Sequence, residues 1–252
     1  VRFKLPPALA NAPSPHRALI EAALGPLAYA PPVLAGQVLF ICFTNRCGSN
    51  YLAQILASTG RFNEAGEYFN ADTVLEHAKR LKLSTLPGYF TALSGMLPHY
   101  GVLAMKISPD QLALLTETGV LDALGPLANF LLIERTDRLS QAISRVMAAQ
   151  TGQFWSHQQK RAEPVYDRAG IEAEWHNTNV ANALFYAFFA ANGVTPLHVS
   201  YEEIVKDPTP LLNRLQATLG INIPPPDRGK ITIEKQSGPL SAAWRARYLS
   251  GQ

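Results

Sequence analysis

Three short apolar runs constrain this chain more than any other feature: Gln37 to Phe43 (QVLFICF), Val102 to Ile107 (VLAMKI) and Phe130 to Glu134 (FLLIE). Unbroken apolar composition, in place of alternation, is what a strand needs when helices cover both faces of a parallel sheet. Each run leads into a helical pattern, from about Tyr51 to Ser58, Gln111 to Thr116 and Arg138 to Ala149 respectively. A longer helix is expected over roughly Ile171 to Ala191, closed by Gly193, with a further strand at Pro196 to Ser200 (PLHVS). Strands alternating with helices imply a three-layer α/β fold around a mostly parallel sheet.

The ends and one internal stretch lie outside this alternation. Residues 1–36 are rich in proline, with room for one short helix around His16 to Leu24, and read as an N-terminal wrap on a single domain spanning 1–252. Thr151 to Gly170 lacks periodicity and is a candidate lid loop. At 252 residues and 47% hydrophobic composition, the chain can bury a full core. No stretch approaches the ~20 unbroken apolar residues of a membrane helix. The opening VRFKLPPALANAPSP lacks the pattern of a secretory signal, so the expected location is the cytoplasm.

A formal net charge of +3 without a basic block does not point to nucleic acid, but it leaves a small anionic ligand open. Two cysteines, Cys42 and Cys47, and scattered histidines without ligand spacing suggest neither a disulfide nor a metal site.

After the first run comes Thr44 to Asn50 (TNRCGSN), where a strand passes into a helix. Successive backbone N–H groups in such a small-residue loop form a concave positive site for phosphate or sulfate. Gly48 permits close backbone approach, Ser49 and Asn50 add side-chain donors, and Arg46 adds a fixed charge. The same residues also suit an ordinary turn in which Gly48 only supplies a positive φ, and the loop alone leaves both readings open. The ATP/GTP loop G-x-x-x-x-G-K-[ST] is absent, since the only Gly-Lys pair, Gly229-Lys230, stands far from the first strand. A nucleophilic Cys47 is disfavoured, because the cysteine phosphatase pattern C-x-x-x-x-x-R would need arginine where Ala53 stands.

Taken in order and spacing, FTNRCGSNYL, EYF at Glu67 to Phe69, IERTDRLSQAISRVMAAQTGQFW from Ile133 to Trp155, and SYEEI at Ser200 to Ile204 resemble the trehalose 2-sulfotransferase family. The resemblance spans about Gln37 to Tyr248 and is most specific over Ile133 to Trp155. It implies a P-loop-like α/β fold that uses 3′-phosphoadenosine 5′-phosphosulfate (PAPS), without a metal, to sulfate a hydroxyl of a carbohydrate or glycolipid. A homodimer is the assembly expected by analogy. By resemblance Arg46, Gly48, Ser49 and Asn50 would hold the 5′-phosphosulfate, with Cys47 and Tyr51 in the same cofactor-binding stretch, and Arg135 with Ser144 would hold the 3′-phosphate. The family loop usually reads Pro-Arg-Ser-Gly-Ser-Thr; here Asn45, Cys47 and Asn50 replace the proline, first serine and threonine.

Sulfuryl transfer, like phosphoryl transfer, depends on in-line positioning and fixed positive charge. Arg46 is the first candidate to stabilise charge on the leaving 5′-phosphate. Lys106 is the second, near the C-terminal end of a strand where open α/β sheets bind ligands; its other reading is a lysine snorkelling to solvent. Glu67 stands where the family places its proposed general base, against a plain reading as a solvated loop carboxylate. Trp155, Tyr166 and Trp175 flank the candidate lid and suit either sugar faces or packing. Glu202, Lys235, Arg245 and Arg247 either touch ligand or are surface charges. The competing functions are a nucleotide-dependent kinase of P-loop-like fold and a non-catalytic nucleotide-binding module.

Overall fold

The computed structural model describes residues 2–11, 14, 16–27, 36–95, 101–154, 158–233 and 238–251. Four strands, β1 (Gln37–Phe43), β2 (Val102–Ile107), β3 (Ala128–Glu134) and β4 (Leu197–Ser200), form one parallel sheet in the order β2-β1-β3-β4. The third strand begins two residues before the apolar run, because Asn129 satisfies its polar side chain on Gln37 Oε1 and on the Val38 and Leu127 carbonyls.

Helices follow in the order α1 (Pro7–Ala10), α2 (Arg17–Leu24), α3 (Ser49–Ser58), α4 (Ala71–Leu81), α5 (Leu86–Ser94), α6 (Pro109–Glu117), α7 (Val120–Leu124) and α8 (Arg138–Thr151). Beyond them come α9 (Arg168–Asn192), α10 (Tyr201–Lys206), α11 (Thr209–Leu219) and α12 (Pro239–Leu249). Two of these starts sharpen the sequence reading. Helix α3 begins at Ser49, two residues before the expected Tyr51, and α9 begins at Arg168, because the Asp167 carboxylate accepts the Gly170 N–H at 2.9 Å as an N-cap. The aperiodic stretch therefore narrows to 152–167, of which 155–157 fall outside the described residues.

Period-two geometry sends alternate strand residues to opposite faces. Val38, Phe40, Cys42, Leu103, Met105, Phe130 and Leu132 join one core with Leu9, Ile20 and Leu24 from the N-terminal segment and with Phe185, Phe188 and Phe189 of α9. Leu39, Ile41, Phe43, Val102, Ala104, Leu131 and Ile133 join the other with α3 and α11. Both faces are thus covered, which is why the strands are apolar throughout. The connection leaving β1 runs over the second face in α3, whereas that leaving β3 reaches the first face in α9. Divergence of neighbouring connections opens a crevice at the carboxyl ends of β1 and β3. Among the described residues, no helix is long and apolar enough to cross a membrane.

Phe40 on β1 is fully buried and stacks on Phe130 with ring centroids 5.5 Å apart. Phe40→Ala is expected to cost about 3–5 kcal/mol. Urea denaturation checks this, with a loss below about 1 kcal/mol contradicting the central place given to this pair.

Candidate active site

The loop after β1 folds as a turn closed by the Cys47 N–H on the Thr44 carbonyl at 3.2 Å, with Arg46 at φ 65° and Gly48 at φ 92°. The Thr44 hydroxyl and the Asn45 carbonyl accept from Gln141 Nε2 of α8 at 2.9 and 2.8 Å. Gln141 is completely buried, so these contacts brace the loop from behind. The first helical hydrogen bond of α3 runs from Leu52 N–H to the Gly48 carbonyl, which leaves the amides of Ser49, Asn50 and Tyr51 ahead of the ladder at a helix N-terminus.

Cys47, counted in the cofactor-binding stretch, has its side chain in the core beneath the loop. Burial raises its thiol pKa, with backbone hydrogen bonds from Ser49 and Thr44 pulling the other way, so neither a thiolate nucleophile nor a side-chain ligand is built here. Its backbone N–H is likewise engaged, closing the turn on the Thr44 carbonyl.

Arg46, Gly48, Ser49, Asn50 and Tyr51 line one wall of a cleft of about 520 Å³, and Arg135 and Ser144 stand on another. The structure thus brings together every loop residue expected at the nucleotide except Cys47, with both residues expected beyond the loop. Arg46 reaches across the cleft, donating from Nε to Ser144 Oγ at 3.0 Å and from Nη1 to the Phe154 carbonyl at 2.6 Å. Its guanidinium therefore lies toward α8 and not over the α3 amides. Burial, then the like charges of Arg135 and Arg145, lower the Arg46 pKa. Arg135 Nε is buried with no hydrogen-bond partner. Crowded guanidinium groups with an orphan donor beside a cleft are the electrostatic form of an anion site.

Sheet register puts Glu134 opposite Ser200, so Arg135 and Tyr201 leave their strands side by side. The Arg135 guanidinium lies 5.3 Å from the Tyr201 ring centroid. That ring also covers Gly48: a Cβ there would stand 2.2 Å from Tyr201 Cδ2.

On the other side of the α3 N-terminus sits a second group. Lys106, on β2, is only 2% exposed and does not snorkel to solvent. Its ammonium donates to Asn50 Oδ1 and to Glu67 Oε1, the latter at 3.2 Å, and lies 5.5 Å from the Phe43 ring centroid. Glu67 arrives there because residues 62–66 run along the outer edge of β2, with parallel bridges Phe62 to Val102 and Gly66 to Met105. Asn63 replaces a strand neighbour: its Oδ1 accepts the Ala104 N–H at 2.7 Å and its Nδ2 donates to the Ala104 carbonyl at 2.9 Å. The Lys106 N–H then donates to the Gly66 carbonyl at 2.8 Å, one residue before the carboxylate.

Of the aromatic residues flanking the aperiodic stretch, Tyr166 packs edge-on against Trp244 at 5.6 Å and Trp175 against Tyr248 at 6.3 Å, both on the C-terminal helix. Trp155 and Lys235 lie outside the described residues. Arg247 covers the Tyr166 ring and Arg245 faces Asp137 at 3.7 Å. The stretch 152–167 supplies Gln153, Phe154, Lys160 and Pro164 to the cleft, and residues 238–241 close its far side. Sequence reasoning missed Gln141 behind the loop and Tyr201 in the cleft, although both lie within the quoted motifs. Among the described residues no group of three or more His, Cys, Asp or Glu could hold a metal ion.

The Stf0 sulphotransferase family model matches residues 96–250, more than half of the chain; Arg135 and Ser144 fall inside the match and the loop at 44–50 precedes it. Among solved structures, the sulfotransferase domain from the curacin biosynthetic pathway is 17% identical over 84% of this chain and 83% of that one, with a TM-score of 0.55. A sulfotransferase from Alicyclobacillus acidocaldarius is 16% identical over 86% of this chain and 93% of that one, with a TM-score of 0.47. The first likeness shows the fold. None of the curated proteins matches.

The Gly48–Tyr201 contact yields a steric test. Gly48→Ala combines a positive φ with a collision and should cost roughly 1–3 kcal/mol. In a Tyr201→Ala background the same change should cost less, since only the backbone strain remains. Equal costs in the two backgrounds, measured by urea denaturation, would show that the ring does not crowd the loop.

Proposed function

The chain belongs to the Stf0 sulphotransferase family, whose chemistry is sulfuryl transfer, and on that premise we propose that it sulfates a hydroxyl of a carbohydrate or glycolipid with PAPS as donor. One observation carries the reading: the cleft joins a helix N-terminus on one wall to Arg135 and Ser144 on the other, with Arg46 reaching between them. A nucleotide with anionic groups at both its 5′ and 3′ positions has the charge pattern that such a cleft fits. Its volume, about 520 Å³, is within the range of small-molecule sites.

In this proposal the amides from Gly48 to Tyr51 and the Ser49 hydroxyl take the 5′-phosphosulfate. Arg135 and Ser144 take the 3′-phosphate, and Arg46 spans the two ends. The donor supplies an activated sulfuryl group. Glu67 is the general base, accepting the acceptor hydroxyl's proton on Oε2 while Lys106 holds Oε1. Lys106 also touches Asn50 at the start of α3, so its ammonium is within one side chain of the loop where negative charge develops on the leaving 5′-phosphate. The carbohydrate acceptor rests on the motif resemblance to the trehalose 2-sulfotransferases.

Calorimetry with 3′-phosphoadenosine 5′-phosphate and with ATP tests the donor. The expected result is preference for the bisphosphate without magnesium; preference for ATP, or a magnesium requirement, would turn the reading toward a kinase. Glu67→Gln should keep bisphosphate binding and lose about two or more orders of magnitude in turnover. Near-normal turnover in that variant removes Glu67 from the role of base.

A further inference from the structure

Glu202 does not line the cleft, and by composition it is one more exposed carboxylate. Its two oxygens nevertheless take backbone amides: Oε2 accepts from Thr136 N–H at 2.9 Å and Oε1 from Asp137 N–H at 3.2 Å. These are the two amides directly after Arg135. Partial burial opposes ionisation of Glu202, and the amides of Thr136 and Asp137 outweigh it, so its carboxyl sits below the usual carboxylate range.

The neighbouring Tyr201 holds the same turn by its other end. Its ring lies beneath the Arg135 guanidinium and against Gly48, so the side chain is bounded by an aromatic face while its backbone is pinned by a carboxylate. Glu202 itself is fixed by its place on α10, which Ser200 and Glu203 close in a capping box and Ile204 anchors in the core. Arg135 Nε stays buried without a partner, so the guanidinium is braced and not neutralised through that atom.

We propose that Glu202 is a positioning residue for nucleotide selection: by pinning the turn after β3 it presets Arg135 for a 3′-phosphate and thereby sets preference for 3′-phosphorylated nucleotides. The inference rests on the proposed assignment of Arg135 to the 3′-phosphate. Preorganisation is the physical source of the effect, since an arginine held in its binding geometry loses less freedom when the anion arrives. Acting only as a charge, Glu202 would have the opposite sign: a carboxylate near Arg135 repels a phosphate, and its removal would tighten binding.

The test measures calorimetric affinities of 3′-phosphoadenosine 5′-phosphate and adenosine 5′-monophosphate for the intact chain and for Glu202→Ala, Glu202→Gln, Arg135→Ala and Glu202→Ala/Arg135→Ala. Glu202→Ala is expected to weaken the bisphosphate about tenfold and the monophosphate by less than about twofold, with no further loss when added to Arg135→Ala. Glu202→Gln, which keeps one good acceptor oxygen and the side-chain shape, should fall between, and it carries the test if the alanine variant folds poorly. Equal weakening of both nucleotides, tighter bisphosphate binding, or full additivity with Arg135→Ala would overturn the proposal. If Arg135→Ala leaves the preference for the bisphosphate intact, the assignment of Arg135 fails first and the inference falls with it.

Discussion

A parallel ladder sends every strand out at the same edge, and the candidate site depends on that constraint. With β1 paired on both sides, Cys42 stands level with Ile107 and Leu132, so the turns carrying Thr44, Ser108 and Arg135 emerge together. Parallel pairing also requires crossovers, and covering both faces with them forces the strands to be apolar. The same arrangement that buries the core therefore gathers the polar groups in one crevice. Arg46 and Arg135 share that crevice, and their like charges, with that of Arg145 nearby, lower the Arg46 pKa.

Each segment at that edge is held by one side chain that substitutes for a backbone partner. Asn63 gives Ala104 a donor and an acceptor, and so carries Glu67 to Lys106. Gln141 binds the Thr44 hydroxyl and the Asn45 carbonyl, and so sets the loop. Glu202 accepts the amides of Thr136 and Asp137, and so sets the turn bearing Arg135. An irregular backbone beside a core must place its polar groups somewhere, and amide or carboxylate side chains do so at fixed geometry. Rigidity of the crevice thus comes from side chains that do not line it.

That division explains what was legible in the sequence. QVLFICF and VLAMKI admit little besides buried strands, and a small-residue loop between strand and helix announces its geometry locally. The motif segments also named Arg46, Arg135 and Ser144, which do meet across one cleft. Residues 62–66 gave no strand signal, because their pairing is decided by the open edge of β2 and not by their own polar composition. Gln141 reads in sequence as an ordinary helix former, and its burial follows only from α8 packing behind the loop. Tyr201 lies within a recognised motif, yet its position over Gly48 depends on the β3–β4 register, which no local pattern encodes. The side-chain direction of Arg46, long and flexible, was equally beyond local reading.

The departures from the family's usual loop become intelligible on the same terms. Asn45 is exposed, and what the fold uses of it is its carbonyl, which any residue provides to Gln141. Cys47 points into the core between β1 and α3, where a small apolar side chain packs well and a hydroxyl would need a partner. Asn50 accepts from Lys106, so its carbonyl oxygen is committed to the lysine and it links the loop to the Glu67 pair. None of the three substitutions removes a backbone amide from the start of α3. An anion site built from amides tolerates side-chain change wherever the backbone path is preserved, and here Gly48, Gln141 and Tyr201 preserve it.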